Sequence, residues 1–219
     1  MRALLGEFVG TALLLAAVVG GAIAGDRLAS GEPALALLIG ALVTGLALGA
    51  VIGALQPVSG AHLNPAVTLA ATLGGAMRPR LAVAYGAVQI VGALTGTIVA
   101  HVMFAARLVT VAGIPREGMH LLLAEAAATF GLVLVIEAAV RAGRSAALGL
   151  IVGAYVAAAY FFIASTGFAN PAVTVARMFT GSSAGIAPAS AVGFVVAQVL
   201  GAVFASVTAR ALYPASTPR

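Results

Sequence analysis

The amino-acid sequence predicts an all-α membrane protein in which six transmembrane helices and two membrane half-helices form an inverted internal repeat. Three observations lead to this prediction. Of the 219 residues, 62% are hydrophobic and only 8% are charged, whereas a soluble domain carries about a quarter charged residues. The apolar residues fall into six long runs, and the pentapeptide Asn-Pro-Ala-Val-Thr occurs twice, at 64–68 and 170–174.

The six apolar runs are long enough to cross a bilayer, because a hydrocarbon core of about 30 Å needs about 20 helical residues. We place the spans at about 3–24, 33–55, 81–105, 119–140, 146–164 and 188–211. Pro33 and Pro188 stand at the predicted start of a span, where the first turn of a helix tolerates proline. The sequence therefore predicts a multi-pass membrane protein.

The arginines predict how the spans are oriented. All 11 basic residues are arginine and the net charge is +5, but no basic patch with interleaved aromatic residues is present, so nucleic-acid binding is not expected. Cytoplasmic loops carry the excess of basic residues, and six spans then put both termini in the cytoplasm. In this orientation seven arginines lie inside (Arg2, Arg78, Arg80, Arg141, Arg144, Arg210 and Arg219) and four lie outside (Arg27, Arg107, Arg116 and Arg177).

The chain contains an internal repeat. Three similar segments recur in the same order: one around Glu7 and Glu125, the Asn-Pro-Ala motif, and one around Gln89 and Gln198. Residues 1–219 therefore form a single channel domain made of two related halves, about 1–106 and 117–219. Each half has three spans, an odd number, so the second half is inverted in the membrane. Inverted repeats place their binding site at the midplane, where broken helices meet.

The duplicated motif predicts those broken helices. Asn64 and Asn170 are suitable N-caps, and Pro65 and Pro171 suit the first helical turn. We expect helices of about ten residues, ending near Gly74 in the first copy and at Gly181 in the second; each would be roughly 15 Å long. A half-helix is tolerated in a bilayer only where protein or a water-filled cavity satisfies its free ends. The two helices are therefore predicted to meet at their N-termini in the middle of the membrane.

This arrangement predicts a pore for neutral molecules. A helix N-terminus carries roughly half a positive charge, and two of them directed at one point oppose the passage of a cation or a hydronium ion. If the side-chain oxygens of Asn64 and Asn170 cap their own helices, the amide N–H groups face the lumen as fixed donors. Water and other molecules with acceptor oxygens would then pass, and charged species would not.

The segment SGAHLNPAVT at 59–68 and the second Asn-Pro-Ala at 170–172 resemble the major intrinsic protein family of aquaporins and aquaglyceroporins, and the resemblance covers nearly the whole chain. It implies a right-handed six-helix bundle with two half-helices, assembled as a homotetramer with one pore per subunit in the inner (plasma) membrane of a bacterium. It also implies that the motif residues Ala66 and Ala172, like their Asn and Pro neighbours, belong to the pore. No cofactor or metal is implied.

The same resemblance implies roles for three polar residues inside the membrane. Glu7 and Glu125 would accept hydrogen bonds from the backbone of the half-helix loops; proton transport is the alternative for a carboxylate in a span. His62, two residues before Asn64, would line the cytoplasmic vestibule, and both a structural and a gating role stay open for it.

The expected selectivity filter departs from the pattern of the family. Val173 occupies the position after the second Asn-Pro-Ala, where most members carry arginine, and Thr44 occupies a position that is usually a large aromatic residue. The filter is therefore predicted to be wider and less polar than that of a strict water channel. Arg177 lies one turn beyond Val173 on the same helix face, and it either restores positive charge at the outer mouth or anchors the membrane interface.

The two remaining filter positions have alternatives. The position in the fifth span falls on Ala159 or, with another alignment, on Ala158. The loop before the second motif is one residue shorter than usual, so Phe168 or Gly167 fills the last position.

The predicted function is passive conduction of water and larger neutral solutes, with glycerol, urea, and undissociated arsenous or boric acid as candidates. A strict water channel is the alternative within the family. An ion-coupled secondary transporter is the alternative from another class, but no coupling-ion site can be assembled from the sequence. An enzyme is not expected, because no nucleophile–base set and no metal-ligand cluster occurs.

Overall fold

A computed structural model describes residues 1–213, so Arg219, which we placed in the cytoplasm, lies outside the described residues. This part of the chain contains eight α-helices and one short 3₁₀ turn. The elements are α1 (Arg2–Leu28), α2 (Pro33–Ser59), α3 (Pro65–Leu73), α4 (Pro79–Met103), α5 (Met119–Arg141), the 3₁₀ turn (Ser145–Ala147), α6 (Leu148–Phe162), α7 (Pro171–Arg177) and α8 (Pro188–Leu212).

The six predicted spans are confirmed. Six of these elements, when the 3₁₀ turn is counted with α6, are long and apolar enough to cross a membrane. The predicted bounds differ from the observed ones by at most four residues. The largest differences are at the ends of α1 and α2; α2 continues through Pro57 to Ser59, where Gly60 in a left-handed conformation (φ 83°) ends it.

Both half-helices are present, but the second is shorter than predicted. Helix α3 has nine residues and α7 has seven, so α7 ends at Arg177 and not near Gly181. The reason is that the carbonyl groups after its last turn bond to another loop. The Met178 carbonyl accepts the Ala112 N–H at 2.8 Å, and the Phe179 carbonyl accepts the Thr110 N–H at 3.2 Å.

The long helices form two groups that meet at α2 and α6. Helix α1 packs against α2 and α4, and α5 packs against α6 and α8. Helix α3 contacts α4, α5 and α8, while α7 contacts α1, α4 and α8. Each half-helix is thus held by long helices from both halves of the chain.

The half-helices end on opposite sides of the bundle. At the end of α3, the Arg210 guanidinium near the C-terminus of α8 donates to the carbonyl of Leu73. The segment after α7 contacts the C-terminal ends of α1 and α4 instead: the Ser183 N–H donates to the Asp26 carboxylate at 3.0 Å, and Thr180 Oγ1 lies 3.0 Å from Nε2 of His101. His101 is buried, with 2% of its surface exposed.

Glycines allow α2 and α6 to approach each other closely. A Cβ atom added to Gly153 would lie 2.5 Å from the carbonyl oxygen of Gly45, and one added to Gly45 would lie 2.7 Å from the carbonyl oxygen of Gly153. The neighbouring atoms belong to backbone, which cannot move aside as a flexible side chain can. Small residues at such crossings are a general feature of membrane helix pairs, because they permit close backbone contact.

We predict that Gly153→Ala lowers the free energy of unfolding by about 1–3 kcal/mol, since the new methyl group forces α2 and α6 apart. Gly86→Ala in α4 is the matched control, because nothing lies within 4 Å of the added methyl group. That control should be neutral or slightly stabilising, since alanine favours helix over glycine. Thermal unfolding in detergent, followed by circular dichroism, measures both; equal melting temperatures for the two variants would contradict the prediction.

Candidate functional site

The site is built where α3 and α7 meet at their N-termini. Asn64 caps α3, because its Oδ1 accepts the Ala66 N–H at 2.8 Å. Asn170 caps α7, accepting the N–H groups of Ala172 at 2.9 Å and Val173 at 3.3 Å. Both helices begin with the proline that follows the asparagine. The side-chain oxygens are therefore occupied by the helices' own backbone.

Each asparagine also donates a hydrogen bond to the loop that precedes the other motif. The Asn64 Nδ2 group donates to the carbonyl of Ala169 at 2.8 Å, and the Asn170 Nδ2 group donates to the carbonyl of Leu63 at 2.9 Å. Leu63 and Ala169 each precede a motif asparagine and have left-handed backbones, with φ of 52° and 48°, which is costly for a residue other than glycine. A side-chain amide has two N–H groups, so each asparagine keeps one donor after this crossed bond.

Glu7 organises the loop before α3 from within the membrane. The carboxylate is fully buried and accepts four hydrogen bonds. Oε1 accepts the Ser59 hydroxyl at 2.7 Å and the His62 N–H at 3.0 Å. Oε2 accepts the Leu63 N–H at 2.7 Å and the Gln89 side-chain amide at 2.8 Å. The backbone N–H groups of the loop thus point at Glu7, away from the lumen.

Glu125 does the same for the loop before α7. Its buried carboxylate accepts the Ser165 hydroxyl at 2.6 Å and the N–H groups of Phe168 and Ala169 at 2.9 and 3.0 Å. The Gln198 amide donates at 2.6 Å. Ser59 and Ser165 were not predicted as site residues. Each stands five residues before a motif asparagine, and this repeated spacing could have identified them.

Each glutamine also reaches the half-helix itself. The Gln89 amide donates to Thr68 Oγ1 at 3.0 Å, and the Gln198 amide donates to Thr174 Oγ1 at 2.8 Å. The two threonines are the last residues of the repeated Asn-Pro-Ala-Val-Thr motif, so α4 and α8 are attached to the first turns of α3 and α7 by equivalent bonds.

A cavity of about 550 Å³ runs along α6 and past both motifs. One end, which we call the Arg141 mouth, is lined by Glu137, Arg141 and Ser145. Both motif asparagines line its middle, so their remaining N–H groups are available there. The other end reaches Tyr160 and Arg177.

A second cavity of about 380 Å³ begins where the first one ends. Its lining includes three charged residues, Asp26 in the last turn of α1 and Glu32 and Arg116 in loops. We call this side the Arg177 mouth. Only Val18, Tyr160 and Arg177 line both cavities among the residues that the structure describes. The two cavities therefore adjoin at these three side chains.

Most of the predicted lining residues are found at the cavity. Asn64, Asn170, Thr44, Phe168 and Val173 line it, as do Gly167, His62 and Arg177. The His62 ring is held by Thr68, with 3.1 Å between Nδ1 and Oγ1, and it meets the ring of Tyr85 edge-on at 5.5 Å.

Neither alanine that we predicted for the fifth span lines the cavity. Ala159 is 2% exposed and faces the loop before α7, with its Cβ 3.0 Å from the place where a Cβ on Gly167 would lie. Ala158 is exposed on the outside of the helix. The face of α6 that lines the cavity consists of Leu148, Val152, Val156 and Tyr160, which are spaced by four residues and so share one side of the helix. Tyr160, next to Ala159 in sequence, is thus the residue of this part of α6 that lines the cavity.

Arg177 is buried, and two contacts hold its side chain. Its Nε donates to the Ala184 carbonyl, and its guanidinium carbon lies 3.4 Å from the centroid of the Phe168 ring. Arg116 contacts the same ring at 5.1 Å and donates to the carbonyls of Gly185 and Ser183 at 3.0 Å. Burial lowers the pKa of Arg116, and nearby Glu125 opposes this effect. Both arginines are thus fixed at the same mouth.

No group of three or more His, Cys, Asp or Glu side chains that could hold a metal ion occurs within residues 1–213. The Glu137–Arg141 pair at 3.2 Å is the one ion pair in this part of the chain. It lies at the Arg141 mouth, where Ser206 also donates to Glu137 at 2.9 Å.

Comparisons with known proteins agree with this geometry. The model of the family described as major intrinsic protein matches residues 1–169. The chain is 44% identical over 217 residues to the aquaglyceroporin AqpS of Rhizobium meliloti, covering 99% of this chain and 92% of that protein. It is 31% identical over 188 residues to the probable aquaporin TIP2-2 of Oryza sativa, covering 78% and 73%. The X-ray structure of the aquaglyceroporin from Plasmodium falciparum superposes with a TM-score of 0.78 and 22% identity, over 97% of each chain.

We predict that Glu125→Gln destabilises the loop before α7, because a glutamine amide nitrogen cannot accept the hydrogen bonds that one carboxylate oxygen receives. Charge-assisted hydrogen bonds contribute about 1.5–3 kcal/mol each, so the free energy of unfolding should fall by about 3 kcal/mol. Glu117→Gln, at an exposed position, is the matched control and should change little. Unfolding in detergent is the measurement; a loss confined to the control, or absent from both, would refute the supporting role of Glu125.

Proposed function

The chain belongs to the major intrinsic protein family, and from this premise we propose that it is a passive channel for water and small neutral solutes that excludes protons and ions. The proposal includes no catalytic step and no cofactor. The solutes pass from the Arg141 mouth to the Arg177 mouth through the two cavities described above.

The crossed asparagine pair is the observation that best supports this proposal. Asn64 and Asn170 each present one unused N–H donor at the middle of the lumen, next to the N-termini of α3 and α7. A water molecule there accepts from two fixed donors, so its own protons point away and no acceptor relay forms through it. The partial positive charge of the helix ends repels cations at the same place.

The lining of the lumen supports passage of solutes larger than water. Thr44 and Val173 are small, and branched aliphatic side chains of α6 form much of one wall. We propose glycerol and urea as permeants, together with undissociated hydroxides such as arsenous acid. Strict water conduction is the second candidate, because Tyr160 and Arg177 stand where the two cavities meet. In this scheme Arg177 supplies the positive charge that Val173 lacks.

We further propose that the chain lies in the plasma membrane with both termini in the cytoplasm, as a homotetramer. Arg141 and Arg210 then lie on the cytoplasmic side, in accordance with the excess of arginine there, and the Arg141 mouth is the inner one. Exposed Leu, Val and Phe side chains on the long helices provide the apolar outer surface that lipid and neighbouring subunits require. The tetramer rests on membership of the family.

The solute range is tested by Val173→Arg in proteoliposomes, with Val173→Leu as the control that adds volume without charge. A second arginine beside Arg177 narrows the lumen and adds donors, so glycerol permeability should fall about tenfold while water permeability falls less. Stopped-flow light scattering with sucrose, glycerol, urea and arsenous acid gradients measures this. Wild-type protein that conducts water alone would establish the strict water channel, and uptake that needs an ion gradient would indicate a coupled transporter.

Exclusion of ions is tested by Asn170→Asp. Aspartate caps a helix as well as asparagine does, but it replaces the Nδ2 donor with a negative charge that attracts cations. The proton leak, read from a pH dye inside the vesicles after a pH jump, should rise about tenfold above wild type. Retained water permeability of the variant shows that it is folded. A wild-type leak as large as that of the variant would contradict the exclusion of protons.

A further inference from the structure

We propose that Glu137 keeps small monovalent anions out of the channel at the Arg141 mouth. The proposal rests on the channel function proposed above, and it names the residue that excludes one class of ion. Glu137 does this by neutralising Arg141, so that the mouth carries no unpaired guanidinium that could draw an anion into the lumen. Uncharged solutes are unaffected by this neutralisation.

The lumen beyond this mouth favours negative charge over positive charge. Asn64 and Asn170 present N–H donors in its middle, and the buried Arg177 guanidinium lines its far end. These groups repel cations, but they attract anions by the same Coulomb interaction. Exclusion of anions therefore requires negative charge elsewhere along the path.

Glu137 is the one carboxylate that lines the first cavity among the residues that the structure describes. Two arginines, Arg141 and Arg177, line the same cavity. The second cavity, at the other mouth, is lined by two carboxylates and two arginines. Removal of the Glu137 charge would thus leave the described lining of the first cavity with two guanidinium groups and no carboxylate.

The Glu137 carboxylate is fixed at the mouth through both of its oxygens. Oε2 lies 3.2 Å from a guanidinium nitrogen of Arg141, and Oε1 accepts the Ser206 hydroxyl of α8 at 2.9 Å. Arg141 also donates to the Tyr213 carbonyl at 3.2 Å. The two charges are therefore held next to each other by the end of α8, and Ser206 is a positioning residue for the carboxylate.

An ion pair with this i, i+4 spacing can also serve only to stabilise its own helix. Two observations favour a role in the lumen for Glu137 and Arg141. Both side chains line the cavity, and a carboxylate within a membrane-spanning helix is costly and usually has a function. Stability of α5 alone does not require the bond to Ser206, which joins the pair to another helix.

The test measures nitrate permeability relative to water permeability for wild type and Glu137→Gln in proteoliposomes. Nitrate is a planar ion about as wide as urea, so size does not exclude it. Re-swelling in a potassium nitrate gradient is followed with valinomycin present, so that potassium crosses freely and nitrate limits the rate. We expect the nitrate-to-water ratio to rise about fivefold, since Arg141 becomes unpaired. Glu117→Gln, at an exposed position, is the matched control and should leave the ratio near wild type.

Combining Glu137→Gln with Arg141→Gln separates charge from structure. The double variant lacks both charges, so its ratio should return to near that of wild type, and Arg141→Gln alone should not raise it. An unchanged ratio in folded Glu137→Gln protein would overturn the proposal. So would an equal rise in the double variant, which would indicate a mouth widened by lost contacts.

Ser145→Lys covers the case in which Glu137→Gln does not fold. Ser145 lines the same mouth, and a lysine there adds an unpaired cation without touching the ion pair. The nitrate-to-water ratio should again rise about fivefold, with Ser145→Gln as the uncharged control; equal ratios for these two variants would contradict the proposal. Failure of the channel function itself is distinguishable, because wild-type protein would then conduct no more water than empty vesicles.

Discussion

The lumen depends on two carboxylates that line neither cavity. A loop that turns its carbonyl oxygens toward a pore turns its N–H groups the other way, and inside a membrane those groups need an acceptor. Glu7 and Glu125 are that acceptor for the two loops, each taking two backbone N–H groups, a serine hydroxyl and a glutamine amide. Burying a charge is costly unless hydrogen bonds compensate it, and here four bonds do so on each side. With the carboxylates in place, the left-handed backbones of Leu63 and Ala169 can present their carbonyls to the opposite asparagine.

Much of this could be predicted from the sequence, because membrane burial leaves few options. The six spans follow from hydropathy and length. The half-helices follow from the repeated Asn-Pro pair, in which Asn caps a helix and Pro occupies its first turn. Polar residues such as Glu7 and Gln89, isolated in apolar runs, must find partners inside the protein, so their involvement in the site could be inferred before their contacts were known.

The differences between prediction and structure concern rotation about a helix axis and the ends of short helices. Ala159 and Tyr160 are adjacent in sequence but lie 100° apart around α6 in an ideal helix of 3.6 residues per turn. A shift of one residue in the alignment therefore changes which of the two is predicted to face the cavity. Apolar composition does not resolve this, since all sides of α6 are apolar. The end of α7 at Arg177 depends on backbone bonds to residues 110 and 112, which lie far away in sequence. No local pattern encodes a contact of that kind.

The crossed bonds between the motifs can form only after both motifs have been synthesised. Asn64 and its acceptor on Ala169 are 105 residues apart, and Asn170 and Leu63 are 107 apart. A ribosome adding about 5–20 residues per second leaves the first half-helix without its partner for roughly 5–20 seconds. Throughout that interval the Leu63 carbonyl and the Asn64 amide need water or another protein as a temporary partner. The first half is therefore made and inserted before either of the crossed bonds that join the motifs can form.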